Sequence, residues 1–315
     1  MSSLPSSAVP VPSAPAPRRA RRSSAARRQH TAAYLLVAPF MVIFIAMMVI
    51  PLCYAAYLSL FREQLIGGTT FVGLDNYGRA FGDSALAQGL LRVGLYLVIQ
   101  VPVMLGAALL FALALDSGKL YLQRLVRLSI FLPYAIPGVV ATLMWGYLYG
   151  HDFGPFAQIA RALSLPVPPF LSQSWMLGSI MNITTWAFVG YNMIIMFAAL
   201  QAVPTEMYEA ARLDGAGEFR IAWHIKIPSI RNAIVLTLIF SIIGSFQLFN
   251  EPQLLQKLAP NSIDSAFTPN LYAYNLAFTS QDINYAAAVA FLLAGAIAIT
   301  SYAVQLTQQR RERRR

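Results

Sequence analysis

Six long apolar runs, separated by polar connections, dominate the chain: roughly 33–60, 90–115, 128–149, 177–201, 233–250 and 285–306. At 1.5 Å per residue each can cross, as a helix, a hydrocarbon core about 30 Å thick. No segment alternates apolar and polar residues with period two, so a β-barrel is not expected. Pro133 and Pro137 interrupt the third run. Such breaks are tolerated in a membrane when neighbouring helices cover the freed backbone groups. The pattern predicts an all-α membrane protein with six transmembrane helices.

Composition agrees. Of 315 residues, 57% are hydrophobic and 11% charged, where soluble domains carry about a quarter charged residues. The net charge of +10 would suit a nucleic-acid partner, but its placement points elsewhere. Eighteen of the 23 lysines and arginines fall before the first run, between the second and third, between the fourth and fifth, or after the sixth. The opposite connections hold Arg62, Arg79, Arg161 and Lys257, and Arg92 near a span end can snorkel. The positive-inside rule then sets both termini in the cytoplasm. Residues 1–30, rich in Ser, Ala, Pro and Arg and without an acid, are expected to form a disordered basic tail. The transmembrane domain is expected over 31–308, with a short basic tail at 309–315. The lone cysteine, Cys53, excludes an internal disulfide and reads as a buried small side chain.

The connection 204–231 is longer than a link between two helices requires. Pro204 ends the fourth run, Thr205 is a candidate N-cap, and Glu206 stands where the helix dipole favours an acid. A short helix is predicted through about Leu213, closed by Gly215, which accepts positive φ. A second short helix over Glu218–Ile227 is expected to stop at Pro228. Phe219, Ala222 and Trp223 share one of its faces. Met207, Ala210 and Ala211 crowd one side of the first helix, and four acids (Glu206, Glu209, Asp214, Glu218) balance the nearby bases. A neutral, small, partly apolar bracket suits docking on a partner better than catalysis; packing beneath its own bundle is the alternative.

The bracket resembles the signature of integral membrane subunits of bacterial ATP-driven importers. The matching residues are Glu209-Ala210-Ala211, then Gly215, then Ile225-Lys226-Ile227-Pro228, with Ile227 where the family has Leu. Asp214 and Ala216 suit its sugar-importing branch. With "SFQLFNEPQLL" and "TPNLYAYNLAF", the likeness extends over about 30–310 and is to permeases of the maltose/multiple-sugar type. It implies a six-helix type I ABC importer permease core (MetI-like) in the bacterial cell membrane. The implied partners are a second permease subunit, an ATPase subunit dimer and an extracytoplasmic sugar-binding protein. It also implies that Glu209, Ala210, Ala211, Asp214, Gly215, Ala216, Ile225 and Pro228 form the coupling contact with the ATPase. The family's Gly-Gly-Pro after the fifth span is here Ala259-Pro260-Asn261.

The chain has no phosphate loop; Gly118-Lys119 is followed by Leu120 and lacks the upstream glycine. ATP and Mg²⁺ are therefore expected on the partner ATPase, with no cofactor, metal site or catalytic residue in this chain. Ionisable residues avoid the middles of the runs, which disfavours a proton-driven carrier and a charged solute. A stand-alone secondary carrier of a neutral polar solute is nonetheless the alternative. An uncharged sugar needs hydrogen-bonding groups and aromatic faces at mid-bilayer. In the fourth run Thr184, Phe188 and Tyr191 share one helical face, with Asn192 nearby. In the fifth, Thr237, Ser241 and Ser245 do, with Gln247 one turn on. Thr184, Phe188, Tyr191, Ser241, Ser245 and Gln247 are the candidate substrate contacts; the resemblance places Tyr191, Ser241 and Ser245 at contact positions. Trp186 reads as packing, as do Gly94, Gly106 and Ala107 of the second run. The substrate expected is a di- or oligosaccharide.

Overall fold

The computed structural model describes residues 34–64, 67–118 and 120–312, with side chains to 307. The basic tail expected over 1–30 lies outside these residues, and the described residues divide into two units with the boundary between Tyr54 and Ala55. Among the described residues, four helices are long and apolar enough to cross a membrane: Tyr34–Ser59, Ser84–Asp116, Met176–Leu200 and Ile283–Thr307. Two bent pairs, each counted as one span, bring the count to six. Gln123–Ala135 and Gly138–Leu148 meet at 98°, and Glu218–Ser229 and Arg231–Phe246 at 67°. The spans are numbered below in chain order.

The expected spans all appear, with two revisions of shape. The third is a right-angled elbow rather than an interrupted rod. Pro137 cannot donate, and it forces Ile136 into extended backbone (ψ 129°). The second begins earlier than its apolar run because Asp83 caps it, accepting from the N–H groups of Ala85 and Leu86. An antiparallel hairpin, Phe61–Gln64 with Gly68–Phe71, adds a small sheet that the apolar pattern does not announce; Phe61 pairs with Phe71. Cys53, expected to be buried, is exposed on the first span.

The second and fourth spans form the spine. Met193, Met196 and Leu200 of the fourth pack against Val101, Met104, Ala108 and Ala112 of the second. Ala108 and Ala112 are fully buried, and their small side chains let the helices approach. Gly94 and Gly106, expected to mediate that approach, instead face open space. A different close contact, between the third and fourth spans, falls at Gly190. A Cβ there would run into the backbone carbonyl of Ile130 and the Cα of Phe131. The third span is thus seated on the fourth, backbone against backbone.

The end of the bundle away from the bracket is braced by polar contacts. The hydroxyls of Tyr272 and Tyr285 both donate to Asp83 Oδ2, at 2.7 and 2.6 Å. Arg79 pairs with Asp282, and Arg92 with Asp264, each at 2.9 Å. Burial raises the Asp83 carboxyl, but the two phenol donors and the capping N–H groups outweigh it and hold the group below its ordinary range. Tyr272 beside it is pushed up to about 12, by burial first and then by that carboxylate.

Candidate functional site

Two features stand out: a central cavity and the bracket. The cavity, of about 390 Å³, contains all six candidate substrate contacts among its lining residues. Thr184, Phe188 and Tyr191 reach it from the fourth span; Ser241, Ser245 and Gln247 reach it from the fifth and its end. Thr237, on the same expected face, is fully buried and bonds Ile234 O instead.

The hydroxyls are not equivalent. Thr184 accepts from the buried Tyr96 phenol at 2.8 Å and donates back to its own helix at Ile180 O. Ser245 donates to Ser241 O at 2.8 Å. Both protons go to carbonyls of their own helices, as hydroxyls in membrane helices commonly do, and it is the Tyr96 proton on Thr184 that ties the second span to the fourth. Among the described residues, no internal hydrogen bond engages the side chains of Tyr191, Ser241 or Gln247. All three line the cavity with their hydrogen-bonding capacity uncommitted among the described residues.

Sequence reasoning missed three contributors. Tyr134 comes from the elbow of the third span, stacks on Tyr191 at 4.8 Å between ring centres and meets Phe188 edge-on at 5.9 Å. Its signal was the pair of prolines around it, between which Leu132–Ala135 tightens into a 3-10 turn before the chain extends at Ile136. Gln100 and Tyr96 enter from the second span, where apolar neighbours concealed them. Trp186 packs edge-on against Trp145, as expected. Asn192 lines the cavity while donating to Phe188 O.

Asn250 and Glu251 close one side. They open the nine-residue helix Asn250–Leu258, beyond the end of the fifth span. A second cavity of about 460 Å³, walled by the elbow residues 133–138, shares Tyr134, Phe188, Asn250 and Glu251 with the first. Burial raises the Glu251 carboxyl above its usual range, against the pull of its own backbone N–H.

The bracket's first helix runs Thr205–Leu213, as the sequence predicts. Thr205 is its first helical residue rather than its cap; Pro204 occupies the cap position and no side chain closes that end. At the other end Gly215 has φ 81°, and Ala216 N–H reaches Ala211 O at 2.9 Å while Gly215 N–H reaches Arg212 O. That is a Schellman closure. Pro228 does not stop the second helix. The chain passes from α-helix (Glu218–Ile221) into a π turn (Ala222–Lys226), and carries Pro228 inside the continuing turn Ile227–Ser229. Wider winding accommodates a ring that has no N–H and would clash with the preceding turn. The bend comes two residues later, at Ile230.

Glu209, Ala210, Asp214, Gly215 and Pro228 are exposed, and Ala211, Ala216 and Ile225 half-buried. Phe219 and Trp223, 82% and 62% exposed, stack at 6.4 Å. The bracket is anchored from beneath. Lys226 Nζ lies 2.6 Å from Asp116 Oδ2 at the end of the second span, both side chains 5% exposed. The approach is close but off hydrogen-bond alignment, so it is an ion pair. Gln201 donates to the other Asp116 oxygen at 2.9 Å, and the ammonium sits 4.9 Å from the centre of the Tyr208 ring. Burial, and then the Asp116 charge, push the Tyr208 phenol up.

A multi-span helical bundle around a polar, aromatic-walled cavity, with a folded bracket at one end, defines a membrane permease. The chain belongs to the family of binding-protein-dependent transport system inner membrane components, whose profile matches residues 90–314. It is therefore a multi-pass inner-membrane subunit of a transporter that works with a separate binding protein. It is 31% identical to a lactose transport system permease protein of Rhizobium radiobacter, over 89% of this chain and 95% of that one. It is 30% identical to a probable ABC transporter permease protein of Bacillus subtilis, over 88% and 94%. Its fold matches a chain in the crystal structure of a bacterial alginate ABC transporter in complex with alginate pentasaccharide-bound periplasmic protein. The TM-score is 0.79 at 19% identity, covering 92% of this chain and 98% of that one.

Proposed function

We propose that this chain is the permease subunit of an ATP-driven importer of a di- or oligosaccharide. It forms half of the pathway beside a second permease, and its bracket docks on an ATPase dimer that carries the ATP and Mg²⁺. The observation that carries this reading is the bracket itself. It is capped, exposes stacked aromatics to a partner, and is tied by a buried ion pair to the end of the second span. A loop with no mechanical task has no need of such an anchor. Permease relatives named for lactose and for arabinooligosaccharides (the latter from Bacillus subtilis, 29% identical over 86% of this chain) support the sugar class. So does a cavity of stacked rings and uncommitted hydroxyl and amide groups. The excess of Lys and Arg on the bracket side supports a cytoplasmic bracket and cytoplasmic termini.

In this mechanism the closing ATPase dimer drives the two brackets together. Lys226–Asp116 passes the displacement to the second span, and the fifth span swings about its bend at Ile230. Each end state is then favoured by its own contacts, as alternating access requires. The chain's own residues do no covalent chemistry; Tyr134, Tyr191 and Phe188 offer faces to sugar rings, and Ser241 and Gln247 exchange hydrogen bonds with hydroxyls.

The test is the importer reconstituted in liposomes with its ATPase, second permease and binding protein. Glu209→Lys and Gly215→Pro should each abolish uptake and uncouple ATP hydrolysis from solute while leaving the complex assembled from the permease pair. Unchanged uptake in both variants, or gradient-driven uptake by this chain alone, would overturn the reading.

A further inference from the structure

We propose that Glu251 makes this pathway selective for uncharged oligosaccharides by rejecting sugar acids. The proposal rests on the sugar-importer reading and sharpens it. Glu251 is on the wall common to both cavities, beside Tyr134, Phe188 and Asn250. Among the described residues that line the two cavities it is the one carboxylate, and none of them is a Lys, Arg or His. A negative group there stands without a cation to offset it.

Its persistence has a physical reason. Glu251 occupies the first turn of the helix Asn250–Leu258, where the dipole favours an acid. That favour would hold whichever way the side chain pointed, so helix stability alone does not require the carboxyl to face both cavities. For a neutral glycan the carboxylate is an acceptor for two or more hydroxyl protons, complementing the amides of Gln100, Asn192 and Gln247. For a uronate or aldonate it is a like charge at hydrogen-bonding distance. The anion then meets repulsion, or Glu251 must first take up a proton; either way occupancy falls. Like charges about 4 Å apart, between aqueous and interior screening, lower occupancy at least about fivefold.

The experiment uses the assembled importer in nanodiscs without its binding protein, so that the permease's own preference is read. Saturation-transfer NMR would measure the affinity of cellobiose and lactose against their aldonic acids. With Glu251 in place, the aldonates should bind at least about fivefold more weakly than the parent disaccharides. Glu251→Gln should bring the two classes within about twofold. Gln247→Lys, which adds a cation to the same cavity with Glu251 intact, should also narrow the gap, and it serves if Glu251→Gln fails to assemble. An aldonate-to-parent ratio equal in the wild type and both variants would overturn the proposal. Absence of binding by any neutral disaccharide to the wild type would instead remove the sugar reading beneath it.

Discussion

Lys226 and Asp116 are joined across 2.6 Å at the root of the bracket, with both side chains almost wholly out of solvent. One comes from the π turn before the fifth span, the other from the last residue of the second. Removing one charge leaves its partner buried and uncompensated, so Lys226→Met should cost roughly 3–5 kcal/mol. Replacing both, as Lys226→Met with Asp116→Asn, should recover most of that loss. Thermal unfolding of the purified complex checks the cycle. Full recovery of stability without recovery of transport would show that the pair acts as a mechanical link and not only as a brace.

The seat of Gly190 on Ile130 and Phe131 gives a second prediction. Gly190→Val should force the third and fourth spans apart and cost about 1–3 kcal/mol or more through overpacking. Gly178, on the same helix, faces open space. Gly178→Ala should be neutral or stabilising by up to about 1 kcal/mol from helix propensity. Equal effects of the two in a detergent melting assay would contradict the packing described.

The Asp83 corner predicts a pH dependence. The folded carboxyl titrates below its ordinary value, so its stabilisation is fully present above the unfolded value of about 3.9. It is lost as pH falls through the lower folded value. Tyr272→Phe removes one of the two phenol donors and should cost about 1 kcal/mol near neutrality. The gap to wild type should shrink as the sample is acidified. Melting temperatures at neutral pH and near pH 3 decide the sign.

Phe219 and Trp223 predict a separation of stability from assembly. Both are largely exposed and touch each other. Phe219→Ala and Trp223→Ala should leave the melting temperature of the permease nearly unchanged, within about 0.5 kcal/mol. Each should weaken ATPase association at least about tenfold, as aromatic anchors of an interface do. Co-purification and titration of the ATPase onto the permease pair would measure this.

What the sequence disclosed was local. Thr205–Leu213 is legible because Pro204, Glu206 and Gly215 each act within a turn of the helix they bound. The fourth-span stripe is legible because Thr184, Phe188 and Tyr191 obey a single helical period. What it concealed depended on partners far along the chain. Lys226 counted only as one more positive charge until Asp116 was placed beneath it. Tyr134 looked like part of a damaged helix, because a proline announces a break but not its angle. Gly94 and Gly106 looked like packing glycines yet face open space, while Gly89 on the same helix meets the backbone of Ala266 and Pro269, since residue size permits an approach without choosing which face makes it. Pro228 looked like a stop because the rule against proline assumes α winding, and the chain escapes it by widening one turn.

The elbow of the third span has one more consequence. Where Gly138–Leu148 begins anew, the first amides of the helix have no carbonyl a turn behind them, and this end borders the second cavity. Part of that wall's polarity thus belongs to the main chain, which no side-chain replacement short of proline can remove. The rings and amides around it can change from one descendant to the next as the solute changes. The wetting of the route would be inherited regardless, and preference could evolve without the channel ever drying out.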